Sequence, residues 1–172
     1  MIVVIDTNVV LPVLGLRHPY SAILDAWVVS RFAWTITTEI VLEYEEIVEP
    51  RIGALRWRQF IALLEAVEVR RRNLLRIRPQ FRFHTIPADL DDDKFADCTI
   101  AAKASWIITE DRHFDALVGS GYQPQPIKPE EFIRRSSCGM QDVWRMVSHC
   151  TVKSASHRAR DILGAAAQDF TQ

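Results

Sequence analysis

The chain begins with a short unbroken run of apolar, β-branched residues, Ile2 to Ile5, which ends at the polar trio Asp6-Thr7-Asn8. A run of that length without polar alternation predicts a strand buried on both faces, as in a parallel sheet. Helical spacing of apolar positions follows from Ser21 to Val29, with Ser21 as N-cap. Ala33 to Ile36 repeats the strand signature. Thr37 or Thr38 then caps a helix that should reach Val48 and stop before Pro50. Leu55, Ile61, Leu64 and Val67 lie near one stripe of a further helix, Leu55 to Val69. Pro79 interrupts the next stretch, where the expectation is a short helix over Leu74 to Ile77.

A helix opens at Asp91 or Asp92 and runs through Ala104, with its acids in the first turn where the helix dipole favours them. Trp106 to Thr109 is a third strand, a short helix near Phe114 to Val118 ends at Gly119, and Pro126-Ile127 forms a fourth strand. Pro129, at a helical N1 position, opens a last turn before Phe132. Strands alternating with helices imply right-handed crossovers and a parallel sheet covered on both faces. The alternation fills residues 1–135, read as one domain. From Ser136 the character changes, and residues 136–172 read as a helical C-terminal extension.

Composition narrows the class. The 172 residues are 48% apolar and 25% charged, enough to build a core and too apolar for a disordered chain. No apolar run approaches the roughly 20 residues of a membrane span, so no membrane role is expected. The N-terminus lacks the basic region and cleavage site of a secretory signal, and the cysteines (Cys98, Cys138, Cys150) are odd in number. Both features point to a cytoplasmic protein with reduced thiols.

Net charge is only −1, but the charges are unevenly placed. Residues 51–78 carry eight Arg against Glu65 and Glu68, while 89–97 carry five Asp against Lys94. A basic stretch beside an acidic cluster suits a polyanion held next to a cation, though two solvated faces would read the same way.

Sites on parallel sheets form at the carboxyl ends of strands, where Asp6 and Asp111 both stand. Each has a plain alternative: Asp6 as a turn residue opening the next helix, Asp111 as a cap before His113-Phe114. Of the acids on the second predicted helix, Glu43, bracketed by Leu42 and Tyr44, is best placed to turn inward. Asp93 and Asp97 form an i, i+4 pair, and Asp97 lies deep in an Ala-rich segment that should pack on the sheet. Converging carboxylates repel unless a cation sits among them, and hard oxygen ligands select Mg²⁺ or Mn²⁺. Gly-rich phosphate loops, a nucleophile elbow and zinc-type Cys/His spacing are absent.

Four pieces in order carry a resemblance: Val3-Val4-Ile5-Asp6-Thr7-Asn8-Val9, Thr38-Glu39-Ile40-Val41-Leu42-Glu43-Tyr44, Asp92-Asp93-Lys94-Phe95-Ala96-Asp97 and Trp106-Ile107-Ile108-Thr109-Glu110-Asp111. Together they resemble a PIN domain, the metal-dependent nuclease family that includes toxins of the VapC type. The resemblance implies an α/β fold, a three-layer α/β/α sandwich around a central parallel sheet of four to five strands, commonly a homodimer. It implies Asp6, Glu43, Asp93 and Asp111 as catalytic metal ligands, with register favouring Asp93 over Asp97. Asp97 becomes an auxiliary residue, and Asn8 and Thr109 orient the acids. Its subgroup implies an endoribonuclease toxin using Mg²⁺ or Mn²⁺, with RNA as substrate and a cognate antitoxin as partner. A processing nuclease without a toxin role, or an idle binding module, are the alternatives. For RNA contact the basic stretch offers Arg70, Arg71 and Arg72.

Overall fold

In the computed structural model, residues 1–15, 18–86 and 89–137 are described, so nearly all of the expected extension 136–172 lies outside the described residues. Strand β1 (Ile2–Ile5) and strand β2 (Ala33–Ile36) fall where the apolar runs place them. Between them lie helices α1 (Thr7–Val13) and α2 (Ser21–Val28). α1 was not expected. Its Val content argues for strand, but the buried faces of Val9, Val10 and Val13 follow a helical period, and packing overrides propensity.

Helix α3 (Thr38–Ile52) is capped by Thr37, whose hydroxyl accepts the Ile40 N–H at 3.2 Å. It runs past Pro50 rather than stopping before it. That residue sits in the final turn, where the missing N–H removes one bond, and the turn still closes through Gly53 N–H to Glu49 O at 2.8 Å. Gly53, at φ +87°, then reverses the chain into helix α4 (Ala54–Arg71), a conformation that favours glycine.

The expected short helix over Leu74 to Ile77 is instead strand β3 (Leu74–Arg76). Arg72 ends α4 in the left-handed region, and Leu74 then pairs with Trp34 of β2, so an available sheet edge decides the conformation. Helix α5 (Asp93–Ala101), strand β4 (Trp106–Ile108), a 3-10 turn (His113–Leu117), strand β5 (Gln125–Ile127) and helix α6 (Pro129–Ser137) complete the described fold.

All strand pairs are parallel, in the order β3-β2-β1-β4-β5. Val3, Val4 and Ile5 are all fully buried although successive side chains point to opposite faces, as are Ile107 and Ile108. Both faces of the central strands are therefore covered, which gives the three layers of an α/β sandwich. No helix among the described residues is long and apolar enough to cross a membrane.

Tyr44 secures the join between α3 and the sheet, donating its buried hydroxyl to the Ile5 carbonyl at the carboxyl end of β1. At the other end of the strands Asn73 does similar work. Its Nδ2 donates to Trp27 O at 2.7 Å and Phe32 O at 3.0 Å, and its carbonyl accepts Trp27 Nε1 and the Trp34 N–H.

Candidate functional site

Because the sheet is parallel, every strand delivers the residue after it to one edge. Asp6 follows Ile5 and Thr109 follows Ile108, and those two strand residues are paired in register. The Thr109 hydroxyl donates to Asp6 Oδ2 at 2.5 Å and accepts the Asp111 N–H at 2.8 Å. One side chain thus orients the first acid and the backbone of the last. Asn8 accepts the Glu110 N–H at 3.3 Å, tying α1 to the same turn. Tyr20 bonds Glu110 and Glu130, and Lys128 Nζ reaches the Glu110 carbonyl at 2.6 Å, so α2 and α6 brace that turn from outside.

Asp6 occupies the N-cap position of α1, yet its side chain makes no capping bond. It is 4% exposed, and burial pushes its carboxyl up to about 7; the Thr109 bond opposes the rise, and the charges of Asp92 and Glu43 add to it. Glu43 does turn inward: Thr7 Oγ1 donates to one of its oxygens and Lys94 Nζ pairs with the other. Asp111 accepts the His113 N–H at 2.8 Å as a turn bond at the edge of the acid group, while the N-cap position of the 3-10 turn falls to Arg112 rather than to Asp111.

The structure separates the acids of α5 in a way the sequence did not suggest. Asp93, expected as the third ligand, has both oxygens engaged: Oδ1 accepts the Ile86 N–H at 2.9 Å and Oδ2 lies 3.3 Å from His84 Nδ1. Asp97, 1% exposed, accepts the Phe83 N–H at 2.8 Å and faces Arg82 at 3.4 Å. Both acids hold the segment before α5. Asp92, at the N-cap position of α5, is the one whose charge reaches Asp6. Its own carboxyl is pushed up to about 6, by burial first and then by the charges of Asp89 and Asp111, with His113 pulling the other way.

Asp89, Asp92 and His113 present ligand atoms that all lie within 4.8 Å of one another, and Asp111 Oδ1 is 3.5 Å from His113 Nδ1. The acid group thus has an inner part, Asp6, Glu43 and Asp92, and a rim of Asp89, Asp111 and His113. The sequence reading missed Asp92, His113 and Lys94. A run of three acids at a helix start conceals Asp92, because the N-cap side chain and the first in-helix side chain diverge by about 100°. Only the placement of the neighbouring elements says which of the two faces the strand ends.

Arg70, Arg71 and Arg72 are exposed at the end of α4, just before β3 begins. That is the amino end of the strands. The register of β3 with β2 and of β2 with β1 puts Leu74, the first residue of β3, roughly 10 Å from Asp6 along the strand axis at about 3.3 Å per residue, and Arg72 precedes it. The structure does not bring these three to the acids. On the acid edge stand Arg82 after β3, which reaches Asp97 and Glu39, and Arg112 beside Asp111.

Residues 2–113 match the family model described as PIN domain, a span that takes in Asp6, Glu43, Asp89, Asp92 and Asp111. No curated protein and no solved structure matches the chain. With the match covering well over half of its length and the acids gathered at the carboxyl ends of a five-stranded parallel sheet, the chain belongs to the PIN domain family, a family of nucleases.

Proposed function

We propose that this protein is a divalent-metal-dependent endoribonuclease, with Asp6, Glu43, Asp92 and Asp111 as the acids that hold the ion. The observation that carries the reading is Asp6: a buried carboxylate, held by Thr109 in one orientation, with its proton affinity raised by burial and by two facing acids. Such an arrangement is costly for the protein alone and is relieved by a cation. The donor set is all oxygen, which fits Mg²⁺ or Mn²⁺. Bound there, the ion supplies an activated water and polarises a phosphodiester.

The chain's own residues set the geometry. Thr109 fixes Asp6, while Thr7 and Lys94 hold Glu43 from two sides. Lys94 also offsets one of the negative charges, so a phosphate meets less repulsion on approach. Asp93 and Asp97 support the segment in front of α5 rather than the ion itself.

The toxin reading rests on the subgroup that the four sequence pieces resemble, with a cognate antitoxin and a homodimer as its proposed partners. Induced expression should arrest growth, and Asp6→Asn should relieve the arrest; a chain whose arrest survives that change is no ribonuclease toxin. The direct test is cleavage of a mixed single-stranded RNA pool by purified protein with Mg²⁺, with Mn²⁺ and with EDTA, beside an Asp6→Asn control. Cutting that needs metal and vanishes in the control supports the reading. Cutting that persists in the control, or none in any condition, refutes it.

A further inference from the structure

From Arg76 to Ile86 the chain reads Arg-Ile-Arg-Pro-Gln-Phe-Arg-Phe-His-Thr-Ile, with three Arg, two Phe and no acid. No helix or strand forms after Arg76, yet the segment is not loosely held. Two carboxylates one helical turn apart on α5 take its backbone: Asp97 the Phe83 N–H, Asp93 the Ile86 N–H. Ile86 is fully buried, which anchors the far end. With the backbone fixed from below, the side chains of Arg78, Phe81, Arg82 and His84 are turned outward.

Phe81 is 74% exposed, a large apolar side chain with little packing to justify it. Phe83 stands edge-on to the partly exposed Tyr122, ring centres 5.6 Å apart. Arg82 bridges Asp97 and, at 2.6 Å, Glu39, which lies one turn before Glu43 on α3. A single exposed Phe means little. Aromatic rings alternating with Arg along an acid-free segment pinned to α5, the helix that Asp92 caps, are a different matter. Duplexes bury their bases, whereas single strands offer π-faces to aromatics and phosphates to Arg.

We infer that residues 76–84, with Tyr122, form the track on which single-stranded RNA reaches the acids. Bases stack on Phe81 and on the Phe83–Tyr122 pair, and phosphates lie against Arg78 and Arg82. Asp93 and Asp97 are positioning residues that keep the track in place. The inference rests on the ribonuclease reading and names the feature of the RNA that the site selects.

The test is binding, measured by fluorescence anisotropy of a labelled 12-nucleotide single-stranded RNA in an Asp6→Asn background, across a salt series with Mg²⁺ present. Phe81→Ala should weaken binding about 5- to 100-fold, the range for losing one base stack. Arg78→Gln should flatten the salt dependence by about 0.7 in log–log slope. A 12-base-pair RNA duplex should bind more weakly and be indifferent to Phe81→Ala. Asp97→Ala should lose single-strand affinity, and the same change in the chain that keeps Asp6 should leave Mn²⁺ binding by calorimetry intact; Asp97→Asn, which retains an acceptor for the Phe83 amide, should recover part of the loss.

Unchanged affinity in Phe81→Ala with the same unfolding temperature overturns the track, as does an equal loss on duplex. Absence of any single-strand binding by the Asp6→Asn protein overturns it too. Failure of the ribonuclease reading shows elsewhere, as missing metal-dependent cleavage by the unsubstituted chain.

Discussion

The two edges of the sheet are built on opposite principles. At the amino ends of the strands, Asn73 is neutral, and its side chain and carbonyl together make four bonds that join α2, the loop after it and β2. At the carboxyl ends stand Asp6 and Asp92, two acids whose burial opposes their charge. One edge relies on a neutral buried residue whose four bonds add stability, although its own Oδ1 stays buried without a partner among the described residues. The other keeps groups that favour the folded state less than neutral side chains would, the pattern expected where a site serves something outside the chain.

The largest expected effect separates the edges by activity. Asp6→Asn and Asp92→Asn should each reduce metal-dependent cleavage at least about 100-fold, since each removes a proposed ligand for the ion. Asp93→Asn should cost less, because an amide oxygen can still accept the Ile86 N–H. Initial rates on one RNA decide between them, and greater loss in the Asp93 variant would return the third position to the residue that register favoured.

Asn73→Ala should produce the mirror image, a stability loss of about 2–3 kcal/mol from two stranded carbonyls, read by urea denaturation. A comparable loss in Asp6→Asn would erase the contrast.

A smaller effect follows from pH. The Asp6 carboxyl titrates near 7 when folded and near 3.8 when not. Between those values the folded chain holds a proton that the unfolded chain has lost, so stability of the metal-free protein should fall as pH rises from 4 to 7 and level off above. Asp6→Asn should remove part of that fall, on the order of 2 kcal/mol at pH 8. Thermal unfolding at pH 5 and pH 8 checks the sign, and a variant less stable than its parent at pH 8 contradicts it. The smallest effect belongs to the exposed Arg residues on the amino edge. Replacing Arg70, Arg71 and Arg72 by Gln should leave single-stranded RNA affinity within about twofold at physiological salt, where charges that far from a bound strand are largely screened.

Much of this was legible beforehand. The short, mostly apolar runs at Ile2 and Ala33 located two strands to the residue, since strands covered on both faces show little polar alternation. Glu43 could be singled out from its apolar neighbours, and it does turn to Thr7 and Lys94. What could not be read is what depends on tertiary partners. β3 is a strand because β2 offers an edge, and α1 is a helix because its valines have a core to enter. Asp92 and Asp93 are chemically identical neighbours, and only the tertiary partners give them different contacts, Ile86 and His84 for Asp93 and His113 for Asp92. Arg70 to Arg72 and Arg76 to Arg82 look alike in composition, but a three-residue strand between them sends them to opposite edges.

The Thr109 hydroxyl joins residues that directly follow a matched pair in β1 and β4, Ile5 and Ile108. Slippage of those strands by one position would turn each side chain to the other face and part Thr109 from Asp6. The bond that aims Asp6 is therefore also a check on strand alignment: a misregistered sheet would not assemble the proposed site, and correct pairing is registered where the acids gather.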